Sequence, residues 1–151
     1  MRLGIVSDTH GLLRPEVLVA LRGVDAILHA GDVGSIEILD QLRAVAPVTA
    51  IRGNIDLIGP CALLPETELF ESNGISLYML HDLKTLDLNP TAAGFSVVIS
   101  GHTHQPKLEH AREVLYLNPG SIGPKRFSLP ISLAFLTIEA GRVEGELITL
   151  A

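Results

Sequence analysis

Cysteine occurs only once in the 151 residues, as Cys61. A single thiol can form neither an intrachain disulfide nor a thiolate cluster, so any metal must be held by oxygen and nitrogen donors. Long apolar runs are also missing. The longest, such as Phe95 to Ile99 and Leu133 to Ile138, fall far short of the ~20 residues that a membrane span requires. The N-terminal apolar stretch ends at Val6 and meets Asp8, which fails the template of a secretory leader and predicts the cytoplasm as compartment. Basic residues are outnumbered, with 11 Lys and Arg against 17 Asp and Glu for a formal net charge of −6. Such a balance argues against a broad nucleic-acid-binding face, because that mode relies on cationic side chains neutralising phosphates. An anionic substrate would need positive charge from elsewhere. No linker, repeat or low-complexity tract divides the chain, which predicts a single domain over residues 1–151.

What is present is an apolar fraction of 47%, generous enough to suggest strands buried on both faces. Leu3 to Val6, Ala26 to His29 and Val48 to Ile51 read as short strands. Between them fall a helix opening at Pro15 and running to about Arg22, and a second helix capped by Ser35. The alternation then stops. Thr67 to Glu71 and Ile75 to Leu80 flank Asn73-Gly74, a strong hairpin signal. Asp87 to Gly94 leaves room for one short helix. Further strands are predicted at Phe95 to Ile99, Lys107 to Ala111, Val114 to Leu117, Ile131 to Ile138 and Val143 to Leu150. The pattern predicts an α/β domain of two packed sheets flanked by helices.

Chemistry-bearing residues recur where the apolar runs end. Asp8 and His10 follow the first strand, Gly31-Asp32 the second and Gly53-Asn54 the third. His81 ends the second hairpin strand, and Gly101-His102-Thr103-His104 follows Val97 to Ile99. In layered α/β folds the carboxyl ends of strands share one edge, so these groups are expected to converge. Two carboxylates, one amide and four of the chain's six imidazoles are too many for one catalytic ion with an open position. Two divalent ions fit better, and the donors suit Mn²⁺, Fe²⁺, Zn²⁺, Co²⁺ or Ni²⁺. Two such ions against two carboxylates leave a local excess of positive charge, which would attract a phosphate despite the acidic chain.

The ordered set Asp8-Thr9-His10, Gly31-Asp32, Gly53-Asn54-Ile55-Asp56, His81, Gly101-His102-Thr103-His104 and Asn118-Pro119-Gly120-Ser121 resembles the calcineurin-like metallophosphoesterases. Within them it is most similar to the small YfcE-like phosphodiesterase branch, over nearly the whole chain. The resemblance implies a four-layer αββα sandwich. It also implies that Asp8, His10, Asp32 and His104 hold one metal and Asp32, Asn54, His81 and His102 the other, with Asp32 bridging. A hydroxide between the metals would then be the nucleophile, so no side chain is expected to be catalytic. The function implied is hydrolysis of a small phosphoester, foremost a diester. The alternatives are a phosphomonoesterase on the same site, or a non-catalytic scaffold such as the retromer subunit of this fold. No membrane partner is expected, and a homo-oligomer is left open.

Two positions depart from the branch. Asp82 and Leu83 follow His81 where Gly, often followed by His, is usual; Asp would tolerate a left-handed turn there but adds negative charge near a phosphate. Ile55 stands where the wider superfamily often has a His that assists the leaving group. Asp56, Asp82, Asn118, Ser121 and Arg126 are further candidates for supporting the ligands or meeting substrate, Asn118 and Ser121 through the loop they shape. His29 reads as a hydrogen-bonded core residue, and His110 as a solvent-facing one.

Overall fold

A computed structural model describes residues 1–151. Strand β1 (Arg2–Val6), helix α1 (Pro15–Ala20), strand β2 (Ala26–His29), helix α2 (Ile36–Arg43) and strand β3 (Val48–Ala50) follow the predicted alternation. The three strands run parallel, with Ile5 beside Leu28 and Leu28 beside Thr49. Two late strands, β9 (Ser132–Glu139) and β10 (Arg142–Thr149), return antiparallel to complete a five-stranded sheet in the order β10-β9-β1-β2-β3. The middle of the chain forms the second sheet: β4 (Thr67–Ser72), β5 (Ile75–Leu80), β6 (Val97–Ile99), β7 (Lys107–Ala111) and β8 (Val114–Asn118), ordered β4-β5-β6-β8-β7. Its three inner strands are parallel and both edges antiparallel. Asn73 and Gly74 both adopt positive φ, 51° and 78°, as the tight turn joining β4 to β5 requires.

The period-2 alternation of the strands divides the core. Leu3 and Ile5 of β1 meet Leu77, Met79, Ile99 and Leu117 of the second sheet, while Val6 and Ile27 turn outward onto Val17, Leu21, Leu39 and Leu42 of the helical side. Gly4 lies under α1 because a Cβ there would collide with Leu21.

Helical cover is unequal on the two sheets. The second sheet's outer face carries only the single turn α3 (Pro90–Ala93) and a 3₁₀ turn at Leu83–Thr85. Leu80, Val98 and Val114 are buried there with help from Tyr78, Leu83, Leu86 and Tyr116 rather than beneath a full helix. The fourth layer is therefore thin. Ser35 occupies the N-cap position of α2, but its hydroxyl bonds the Glu37 carboxylate and makes no capping bond to the helix amides. No helix is long and apolar enough to cross a membrane.

Candidate metal centre

The loops that leave β1, β2, β3, β5 and β6 are stitched together by main-chain hydrogen bonds. Asp8 N donates to Gly31 O (3.0 Å), His10 N to Asp32 O (2.9 Å), Gly101 N to His81 O (3.0 Å) and Ile122 N to Ser7 O (3.2 Å). Close approach depends on missing side chains. A Cβ on Gly53 would overlap the Asp32 amide and carboxylate, and one on Gly101 would strike Ser7 and Asp8. Asp8, His10, Asp32, His102 and His104 all hold left-handed backbone, with φ between 46° and 72°. Asp and His enter that region more readily than most residues, although it remains costly.

Within this frame each carboxylate has one oxygen anchored and one presented. Asp8 Oδ2 accepts from the Ser7 hydroxyl (2.7 Å) and from His102 N (3.1 Å). Asp8 Oδ1 faces His104 Nε2 at 3.4 Å, His10 Nε2 at 3.6 Å and His81 Nε2 at 3.8 Å and accepts a hydrogen bond from none of them. Asp32 Oδ1 accepts from Ile55 N (3.0 Å), and Asp32 Oδ2 lies 3.2 Å from His81 Nε2 and 3.5 Å from His10 Nε2. His81 is oriented by donating Nδ1–H to Ala30 O at 2.7 Å. Asn54 Oδ1 meets His102 Nδ1 at 3.0 Å.

The outcome is two adjoining triads, Asp8 with His10 and His104, and Asp32 with His81 and His102. In each triad the donor atoms lie within 4.8 Å of one another. Asp8 Oδ1, His10 Nε2, His81 Nε2 and His104 Nδ1 are buried without a hydrogen-bond partner. Unpaired buried polar atoms each cost about 1–3 kcal/mol, and three of these, Asp8 Oδ1, His10 Nε2 and His81 Nε2, face one another in one cluster that could hold cations, while His104 turns Nε2 rather than Nδ1 toward Asp8. All seven residues singled out from the sequence meet at this edge.

The charges agree. Burial would raise the Asp8 carboxyl, but the His10 and His104 rings and the Ser7 hydroxyl outweigh it and hold it well below the usual carboxylate range. Asp32 is also lowered: burial opposes, while His81 and the Ile55 amide prevail. The His81 imidazole is raised, since Asp32 and the Ala30 carbonyl outweigh its burial. Each carboxylate is thus kept ionised by its neighbours, as a ligand to a cation must be.

Supporting residues lie underneath. His29 is fully buried, and its pKa is pushed down to about 4 by burial, only partly countered by Asp8 and Asp56. Its Nδ1 accepts from Gly31 N (3.1 Å), which leaves Nε2 to donate to Thr9 Oγ1 (3.0 Å); that hydroxyl passes its own hydrogen to Val33 O at 2.7 Å. Asp56 accepts from Val33 N, Gly34 N and Gly53 N, tying the second loop to the third. Asn118 holds the histidine loop through Gly101 O and Thr103 Oγ1, and Ser121 donates to Asp8 O. Both are buried and act on loops rather than on the open face. Ser7 and Thr9 were not singled out from sequence, although two small hydroxyls breaking off an apolar strand beside Asp8 were a usable signal.

Three further positions sit apart from the cluster. Arg126 is exposed, as is His110 on β7. Asp82 stands at the rim, with Oδ2 3.9 Å from His102 Nε2 and Oδ1 accepting from Lys84 N. Its backbone is extended (φ −110°, ψ 112°), so the left-handed turn anticipated at this position is not needed; the chain enters the Leu83–Thr85 turn directly, with Asp82 as its cap.

The family model described as Calcineurin-like phosphoesterase superfamily domain matches residues 1–141. A probable metallophosphoesterase of Methanocaldococcus jannaschii is 37% identical over 99% of this chain and 82% of its own length. The phosphodiesterase YfcE of Escherichia coli is 29% identical over 90% of this chain and 87% of its own. The solved YfcE structure superposes with a TM-score of 0.70 over 91% and 88% of the two chains, at 26% identity. Zinc-bound Vps29 of Entamoeba histolytica shares the fold, with a TM-score of 0.75, 23% identity and 99% of both chains covered.

Proposed function

The chain belongs to the calcineurin-like phosphoesterase superfamily, and on that premise we propose that it is a phosphodiesterase working with two divalent cations. The observation that carries this reading is the set of three buried, unpartnered atoms, Asp8 Oδ1, His10 Nε2 and His81 Nε2, that face one another in one cluster. Asp8, His10, Asp32 and His104 are assigned to one ion, and Asp32, Asn54, His81 and His102 to the other. Asp32 Oδ2 lies 3.5 Å from His10 Nε2 and 3.2 Å from His81 Nε2, which supports its assignment to both ions. Oxygen and nitrogen donors without thiolate suit Mn²⁺ and would also accept Ni²⁺, Fe²⁺, Zn²⁺ or Co²⁺. When bound, the cations supply Lewis-acid charge to phosphoryl oxygens and acidify the attacking water.

The protein's own part is to orient and to select. Ser7, the His102 amide and the Ile55 amide fix the two carboxylates, and Ala30 fixes the His81 ring. These contacts hold the donors in place before any ion arrives, as ligand-orienting partners do in metal sites generally. Ile55 offers no proton to a departing group, so the leaving group must be stable as an anion. Asp82 puts a negative charge at the rim beside His102. It repels a phosphomonoester dianion more than a diester, which bears one charge; this favours diesters. A complete donor set also supports catalysis over a purely scaffolding role.

The test is hydrolysis of bis(4-nitrophenyl) phosphate and 4-nitrophenyl phosphate by Mn²⁺-loaded protein and by Asp32→Asn. We expect metal-dependent turnover, faster on the diester, falling by about a hundredfold or more in the variant, since even contacts behind the ligands are worth 10- to 100-fold. Turnover that ignores metal or Asp32 would overturn the assignment.

A further inference from the structure

Beside the metal-binding cluster, on the thinly covered side of the second sheet, lies a cavity of about 830 Å³. That falls within the range of roughly 300–1,000 Å³ typical of small-molecule sites. Its walls come from the turn after β5, with Leu83 and Lys84, and from the segment entering β7, with Gln105 and Lys107; Tyr116 of β8 contributes from the sheet. His102 and Asp82 line it too.

We propose that this cavity is the subsite for the second ester arm of the substrate, and that this arm is nucleotide-like, a flat heteroatom-bearing body carrying a further phosphate. The inference rests on the phosphodiesterase reading above. Position comes first. His102 belongs to both places: Nδ1 meets Asn54 in the cluster at 3.0 Å, and Nε2 looks across to Asp82 at 3.9 Å. A diester held at the cluster must place two arms, and the cavity opens beside one of them.

Lining chemistry narrows the arm. The walls combine apolar surface from Leu83 and Tyr116 with polar groups, which fits a flat ring bearing heteroatoms. Gln105 and Thr103 offer amide and hydroxyl groups to the edge of a polar ring, and Tyr116 offers a flat face for it to lie against. Charge supplies the last part. Lys107 is paired with Glu109 at 3.1 Å, whereas no carboxylate lies within ion-pair distance of Lys84. An unpaired cation on the wall of a cavity, in a chain with net charge −6, matches an anionic group on the ligand. Asp82, with its opposite sign, keeps that group from lodging at the rim.

Two diesters test this with Mn²⁺-loaded protein: thymidine 5′-(4-nitrophenyl phosphate) and the same compound phosphorylated at the 3′ position. We expect the wild type to favour the 3′-phosphorylated diester in kcat/KM by about fivefold, mostly through KM, the value of a largely exposed charge pair. Lys84→Ala brings that ratio towards one. Gln105→Trp, which fills the cavity, raises KM for both nucleotide diesters relative to methyl 4-nitrophenyl phosphate, whose small arm needs no subsite. Independently of turnover, calorimetry should show thymidine 3′,5′-bisphosphate binding the metal-free wild type more tightly than Lys84→Ala. A wild-type ratio of one, or a ratio and a binding constant that ignore Lys84, overturns the subsite. Failure of the wild type to hydrolyse bis(4-nitrophenyl) phosphate with any metal instead overturns the underlying reading.

Discussion

Replacing His29 tests whether the two leading loops are held by a neutral imidazole. This ring accepts from Gly31 N, donates to Thr9, and sits with a pKa near 4 in a site closed to water. In the unfolded chain an ordinary histidine titrates near 6.5. Between these values the unfolded state binds more protons than the folded one, so stability rises with pH across the window. The contribution is complete above about 6.5 and is lost as pH falls towards 4. Linkage gives a loss of about 2 kcal/mol between pH 7.5 and pH 5, and about 3 kcal/mol in full. His29→Leu removes the titration and leaves the Gly31 amide unpartnered, so at pH 7.5 we expect the variant to be less stable by about 1–3 kcal/mol. The informative quantity is the gap between wild type and variant, because Asp8, Asp32 and His81 titrate in both. Urea unfolding with chelator present should show that gap shrinking by about 2 kcal/mol from pH 7.5 to pH 5. A gap that stays constant would mean that His29 is not buried as a neutral ring.

Two further outcomes follow from positions around the cluster. Asp82→Gly should raise kcat/KM for 4-nitrophenyl phosphate relative to bis(4-nitrophenyl) phosphate by about fivefold at low ionic strength, through relief of a repulsion across partly exposed space. The gain should fade with salt, and an equal change on both substrates would remove Asp82 from the selection of charge. Gly53→Ala puts a methyl where the Asp32 amide and carboxylate now lie. We expect Mn²⁺ affinity to fall by about 10- to 100-fold, as when ligand-orienting contacts are lost, and unchanged affinity by calorimetry would show that Asp32 is not held by this approach.

The parts of the fold legible in the sequence are those set by local pattern. Strands β2, β5 and β7 begin and end as the alternation and turn residues indicate, and Asn73-Gly74 forms the hairpin turn. Strand ends as the seat of the site were legible for the same reason, since topology alone brings parallel carboxyl ends to one edge. What depends on competition between contacts, or on distant partners, was not. Ser35 has the sequence of a cap, yet Glu37 two residues on claims its hydroxyl. The short helix expected within Asp87 to Gly94 is there, at Pro90–Ala93, but that the second sheet has no fuller cover than this turn and its neighbours is a tertiary outcome. The choice of which carboxylate oxygen faces the cluster was settled by the Ser7 hydroxyl and by the His102 and Ile55 amides, contacts no linear pattern displays.

Backbone strain carries the same message as the unpartnered atoms. Ten non-glycine residues hold positive φ, and five of them are among the seven candidate ligands. Each left-handed L-residue costs about 1–2 kcal/mol, and glycine would occupy these positions at no such cost. A chain shaped for stability alone would place glycine at such turns, as it does at Gly31 and Gly34 beside Asp32. Carboxylates and imidazoles stand there instead, held by main-chain bonds such as Asp8 N to Gly31 O and His10 N to Asp32 O. Strain and orphaned donors both weaken the fold on their own, and both are relieved or repaid when cations bind the folded state alone, which stabilises it by mass action. That both costs fall together on Asp8, His10 and His104 supports the proposed metal-dependent reading of this edge over one in which these residues serve packing alone.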